Sequence, residues 1–227
     1  MASRPRASTE EVYARVRADV LGGVYAPGER LKSTPLCEAY GASVSVIREA
    51  LSRLTEQGLV ESEPRIGFRV RQVSVDDLRQ LTSARIDIES LALRYSIERG
   101  DMTWESEVVA AHHRMERTPM LAEQATPCIS DEWAAAHACF HGALLDGAGN
   151  SWLLGMAATL RNAGEFYRRW SQVHEPDRDV TGEHREILEA TLARDADRAA
   201  RALARHYQHT ADILERALTE RAAAQHS

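Results

Sequence analysis

From Ser74 to the C-terminus the sequence carries helical periodicity and no strand pattern, and this constrains the fold more than any single motif. Apolar residues recur at three- and four-residue intervals, which predicts helices over about 75–99, 103–118, 130–147, 150–171, 182–193 and 196–222. The breaks fall at Gly100–Asp101, between Thr118 and Pro127, at 147–150 and at 174–182. Helices of such length joined by short breaks fold as an antiparallel bundle. The preceding residues read differently. A helix over 9–21 turns Val12, Val16, Val20 and Leu21 to one side, and Gly22, Gly23, Pro27 and Gly28 break it. Thr34–Pro35 starts a second helix, with Thr34 at the cap and Pro35 at the first helical position, and Gly41 marks a tight turn after it. Ser43 or Ser45 caps a third, whose stripe is Ile47, Leu51 and Leu54 and which Gly58 ends. The run LVESEPRIGFRVRQV then alternates about a Pro/Gly turn, giving a two-stranded hairpin. The expected fold is mainly α: a winged helix-turn-helix of three helices plus a β-hairpin wing over 1–72, then an all-α antiparallel bundle over 73–227.

The charge is divided along the same boundary. Residues 1–72 hold 11 Lys/Arg against 9 Asp/Glu, or +2, and the remainder 17 against 25, or −8. A net charge of −6 argues weakly against nucleic acid, but this division fits a DNA-facing first domain on an acidic second one. No 18-residue apolar run occurs, and MASRPRASTEE has no apolar targeting core, so the chain is expected in the cytoplasm with no membrane partner. Cys37, Cys128 and Cys139 are scattered without a CxxC pair and read as small core residues in a reducing compartment.

Four histidines stand out in the bundle. His137 and His141 are i and i+4, one turn apart on one helix face. His184 and His206 flank a helix break at Arg194–Asp195, where Asp supplies an N-cap, so a hairpin folded there brings their rings level. Three helices can therefore aim four imidazoles at one point. That set suits zinc, nickel or another borderline divalent transition metal.

Two stretches resemble known families. APGERLKSTPLCEAYGASVSVIREALSRLTEQGLVESEPRIGFRV is similar to the DNA-binding domain of the GntR family of bacterial transcription regulators. RIDIE (85–89), HACFHGALLDGAGN (137–150), EHREILEATLARDADRA (183–199) and the late His206 resemble the FCD domain, the ligand-binding half of the FadR-like subgroup. The first resemblance implies that the third helix enters the major groove of operator DNA and the wing reaches the minor groove. Thr34, Ser43, Val44, Ser45 and Arg48 would then face DNA, with Arg65 and Gly67 at the wing tip. An arginine forked onto guanine discriminates by roughly 1–3 kcal/mol. The chain departs from the pattern at Val44, commonly Arg, and at Val46, commonly Pro, so its operator is expected to differ.

The second resemblance implies a metal held by an Asp, a His four residues on, and two later histidines. His141, His184 and His206 fall on the histidine positions, and His137 stands where the Asp is usual. A fourth imidazole removes a negative charge, which favours zinc, nickel or copper over manganese and makes the site more attractive to an anion. The implied effector is a small organic or sugar acid whose carboxylate completes the metal's coordination. Arg85 is either a second carboxylate clamp or half of a structural ion pair. Phe166 and Trp170 either wall a cavity or are plain core, and Asn150 caps the helix after it. His112, His113, His174 and His209 read as surface residues.

The expected protein is a homodimeric regulator, most simply a repressor, because two-fold operators need two readers. A direct metal sensor is the first alternative, and a metal-binding protein or metalloenzyme with a vestigial DNA-binding domain the second. HExxH, paired ExxH and nucleophile signatures are all absent, which argues against an enzyme.

Overall fold

A computed structural model of the protein describes residues 8–21, 24–63, 65, 67–72, 74–121, 129–174 and 177–224. The chain divides into two compact units, 1–74 and 75–227.

In the first unit, α1 (Thr9–Leu21) lays Val12, Val16 and Val20 against α3 (Val44–Glu56), which returns Ile47, Ala50, Leu51 and Leu54. All are almost fully buried, so the i, i+4 spacing read from the sequence is the packing face itself. Between them lies α2 (Ser33–Tyr40), closed by Gly41 in the left-handed conformation. The start of α2 differs from expectation. Lys32, not Thr34, occupies the cap position and makes no side-chain cap bond. Pro35 is tolerated inside the first turn because the first four amides of a helix have no intrahelical acceptor to lose.

The hairpin forms from β2 (Val60–Glu63) and β3 (Gly67–Val70), antiparallel with Val60 opposite Val70 and Glu63 opposite Gly67. A further strand, β1 (Arg30–Leu31), pairs with β3 and makes the order β1-β3-β2. Two residues are too few to show alternation, so no sequence signal marked it.

In the second unit, α4 (Val75–Arg99) packs on α7 (Ser151–His174) and α9 (Ala196–Ala224). The helix α5 (Met102–Arg117) packs on α6 (Asp131–Asp146), and α8 (Val180–Leu192) on α9. Leu93, Phe140, Leu144, Ile187 and Leu203 are fully buried between them. Side-chain caps fix the helix starts. Asp101, Ser130 and Asp179 accept from Trp104, Trp133 and Gly182 amides, Asn150 from those of Trp152 and Leu153, and Asp195 from Arg198. The corner between α8 and α9 has Arg194 at φ 56, a left-handed residue whose guanidinium donates to the Ile97 and Gly100 carbonyls. That corner is thereby tied to the end of α4. Among the described residues no helix is long and apolar enough to cross a membrane.

Three expectations about single residues need correction. His112 is buried rather than superficial, edge-on to the Phe140 ring at 5.2 Å. His209 is half-buried and bonded to Glu183 at 2.9 Å. Cys139 is exposed and Cys37 intermediate, so neither is a core residue. Cys128 and the side chains of Phe166, Trp170 and His174 lie outside the described residues.

Candidate metal centre

The four histidines meet. His137 and His141 come from α6, His184 from α8 and His206 from α9, and one ring nitrogen of each lies within 4.8 Å of all the others. All four are buried, at 6, 1, 1 and 5% exposure. His141 Nε2 faces His184 Nε2 at 3.3 Å, and the His137 and His141 ring centroids are 4.4 Å apart. Burial is the first cause holding all four below the usual imidazole value. The other imidazoles add to it at His137, His141 and His184. At His206 the neighbouring Arg178 pushes the same way, while the Glu183 carboxylate only partly opposes. Neutral rings are the form in which histidine ligates a metal.

What lies behind the rings decides which nitrogen is free. Tyr207 Oη donates to Glu89 Oε2 at 2.6 Å, so the contact of 3.1 Å between this oxygen and His141 Nδ1 is one in which the imidazole donates. Glu89 accepts in turn from Arg85 Nε at 2.7 Å. His206 Nδ1 lies 2.7 Å from Glu183 Oε2, and an ionised carboxylate can only accept, so this nitrogen also carries the proton. The 3.3 Å approach of Arg178 Nη2 to the same Nδ1 is then a contact between two donors; the guanidinium's real acceptors are the His206 carbonyl at 3.0 Å, Glu183 and Thr210 Oγ1 at 2.9 Å. Burial works against the Glu183 charge, but bonds from His206 and Arg178 outweigh it and hold its carboxyl well below the ordinary range. With both Nδ1 atoms committed outward, Nε2 of His141 and of His206 is left as the lone-pair atom. Fixing the ring tautomer through the second nitrogen is how proteins prepare imidazole ligands. The residues fit a resident divalent cation.

Arg85 and Glu89 within RIDIE and Glu183 at the start of EHREILEATLARDADRA fell in stretches marked by the FCD resemblance, but no role in orienting the histidines was read for them. Glu183 precedes His184 yet bonds His206, and Tyr207 follows His206 yet bonds His141. Adjacent helix positions point about 100° apart, so a ligand's neighbour serves a ring on another helix. Arg178 had no motif at all. Arg85 is paired with Glu89 at 2.7 Å and lies 3.9 Å over the Tyr207 ring. A side chain at Gly164 on α7 would come within 2.7 Å of its Nη1, so the missing Cβ is what lets α7 approach it.

The FCD domain family matches residues 80–209, and the family described as bacterial regulatory proteins, gntR family, matches residues 8–70. The chain is a GntR-family transcription regulator with an FCD domain. Among its relatives is the HTH-type transcriptional regulator BphR of Paraburkholderia xenovorans, 34% identical over 92% of this chain and 86% of that one. The HTH-type transcriptional repressor GlaR of Escherichia coli K12 is 30% identical over 91% of this chain and 95% of its own. Two solved structures share the fold. McbR/YncC of E. coli has a TM-score of 0.67 at 20% identity, covering 96% of this chain and 100% of that one. A GntR-type protein from Rhodococcus sp. RHA1 has a TM-score of 0.65 at 23% identity, covering 91% and 97%.

On the DNA-binding unit of this regulator, Thr34, Val44, Ser45 and Arg48 are exposed, and Val44 is 52% accessible. Ser43 caps α3 by accepting from the Val46 amide and meets Ser45 Oγ at 2.9 Å, so its hydroxyl is engaged before any DNA contact. Arg48 lies off the buried Ile47, Leu51 and Leu54 stripe of α3, on its exposed flank. At the wing, Arg65 and Gly67 are exposed, with Arg65 at φ 66. A non-glycine residue costs roughly 1 kcal/mol there.

Proposed function

We propose that this regulator is a homodimeric repressor, released from its operator by a small organic or sugar acid bound at a metal that His137, His141, His184 and His206 hold. The observation that carries the metal is the convergence of four buried imidazoles within 4.8 Å, two of them with Nδ1 already occupied. Zinc suits an all-imidazole set best, nickel next. The metal would act as a Lewis acid toward the effector's carboxylate. The protein's own part is to hold the rings, to exclude water by burial, and to keep the site free of a carboxylate ligand. Elemental analysis of untagged protein tests this: about one metal per chain is expected, lost in His141→Ala and His184→Ala. A parent that holds no metal after zinc loading and desalting would make the histidines structural.

Coupling to DNA is proposed as linkage. The acid favours a bundle arrangement in which the two recognition helices no longer match their half-sites. A tenfold loss of affinity needs only ~1.4 kcal/mol of difference between the states. Arg48 and the wing Arg65 are the proposed base and groove contacts. Arg48→Ala is expected to weaken operator binding and relax its sequence preference, and the affinity of the parent to fall steeply with salt. Unchanged affinity in Arg48→Ala would remove α3 from the major groove.

One observation favours a second reading. Four imidazoles by themselves complete the tetrahedral shell of zinc, so metal occupancy alone could be the signal. Comparing operator affinity of zinc-loaded and metal-free protein without any acid separates the two.

A further inference from the structure

Four guanidinium groups surround the histidine cluster, and three of them have carboxylates of their own. Arg85 is paired with Glu89, Arg168 Nε with Glu165 at 3.1 Å, and Arg178 Nε with Glu183 at 2.9 Å. The fourth is Arg161. It stands on the stripe of α7 that carries the buried Ala157 and Gly164 and then Arg168, an i, i+4, i+7, i+11 series facing the bundle interior. Arg161 is half-buried, and among the described residues it makes no hydrogen bond and no ion pair. Its Nη2 lies 3.8 Å from where a Cβ on Gly142 would be, beside His141 on α6. Its charge reaches His141 and Tyr207, helping to keep the one neutral and stabilising the other's ionised form. It also reaches Asp146, an exposed residue, without forming a pair with it.

A guanidinium only partly in water and without a counter-charge is costly, and a fold normally supplies the carboxylate. Here it does so three times beside the same site and omits the fourth. The cluster also lacks the negative charge that a carboxylate ligand would bring, so a bound divalent cation leaves it with surplus positive charge. One carboxylate on the metal would not reach a balance. We infer that Arg161 anchors a second anionic group of the effector, so that the acid this regulator answers carries two: one for the metal and one for Arg161. This rests on the metal reading above and names the ligand class more narrowly, as a small dicarboxylate or a phosphorylated carboxylic acid. Arg161, rather than the Arg85 chosen from the sequence, is the fork that remains available for a bidentate contact.

Cobalt(II)-loaded full-length protein tests this, because the visible spectrum of cobalt changes when a carboxylate joins its coordination shell. The probes are acetate, succinate and phosphoglycolate, titrated against the parent, Arg161→Ala and Arg161→Lys. In the parent, succinate or phosphoglycolate is expected at a midpoint at least tenfold below that of acetate, and which of the two prevails tells a carboxylate from a phosphate. In Arg161→Ala that advantage should collapse towards unity while the acetate midpoint stays in place, and Arg161→Lys should keep part of it. Cobalt uptake serves as the check that each variant is folded. An equal diacid advantage in Arg161→Ala, or none in the parent, overturns the role of Arg161 and leaves the metal reading standing. Failure of the parent to take up cobalt overturns both, since the second anchor presupposes the first.

Discussion

Replacing Glu183 by glutamine keeps the shape of the side chain and removes its charge, and the effect is expected at the metal. The carboxylate holds the proton on His206 Nδ1 at 2.7 Å and so raises the donor strength of the opposite nitrogen. Glu183→Gln should weaken zinc by ~10–100-fold in competition with a chelator, as loss of such outer partners does. Glu186→Gln, which breaks an exposed pair with Arg205, should leave affinity where it was and serves as the control. Parental affinity in Glu183→Gln would show that the charge of the carboxylate is not what prepares His206 as a ligand. The ligand residues were legible in the sequence because four histidines at helical intervals are rare and carry their own geometry. Their supports were not, since a glutamate or a tyrosine beside a histidine is commonplace and its target lies on a different helix.

Among the elements, the wing shows a conflict between stability and contact. Arg65 occupies a left-handed turn position that glycine would fill without strain, yet the chain keeps a cation there. Arg65→Gly is expected to stabilise the isolated first unit by up to ~1 kcal/mol in urea denaturation. It should also lower operator affinity and flatten its salt dependence by about one unit of slope. A variant that gains stability and loses no DNA affinity would make the arginine incidental. At the start of α6, Ser130 both accepts from the Trp133 amide and donates to the Pro119 carbonyl at 2.8 Å, and it is buried. Ser130→Ala should cost about 1–2 kcal/mol in denaturant melts of the metal-free protein, and lower metal affinity because α6 carries two ligands. Helix bounds were readable to within a few residues because caps and glycines punctuate them. The strand β1 was not readable, because its pairing with β3 comes from tertiary contact and not from any alternation of its own.

At the scale of the whole molecule the metal-free protein should be sensitive to mild acid. The four rings have depressed values in the folded state, against 6.5 as the ordinary value. Below that value the unfolded chain binds more protons than the folded one, so stability is fully present above it and is lost as the pH falls. Glu183, also depressed, adds a loss of the same sign in more acidic solution. The melting temperature of metal-free protein should therefore drop between about pH 7.5 and 5.5, a range centred on the ordinary histidine value. Zinc at a thousandfold its dissociation constant should restore about 4 kcal/mol. A flat melting temperature across that range would mean that the rings are not neutral and buried in solution. The corner at Asp195 carries a consequence of a different kind. His184 lies 11 residues before it and His206 11 residues after it. On the α9 arm those residues make about three helical turns, whereas on the other arm only the eight from His184 to Leu192, about two turns, are helical and the corner takes up the rest. Removing or adding one residue on either arm would swing its ring by about 100° and lift it by about 1.5 Å, out of reach of the others. The stretch from 184 to 206 therefore has a length as well as a composition to keep: point changes on its outer face can accumulate, while an insertion or deletion within it disconnects the site at once.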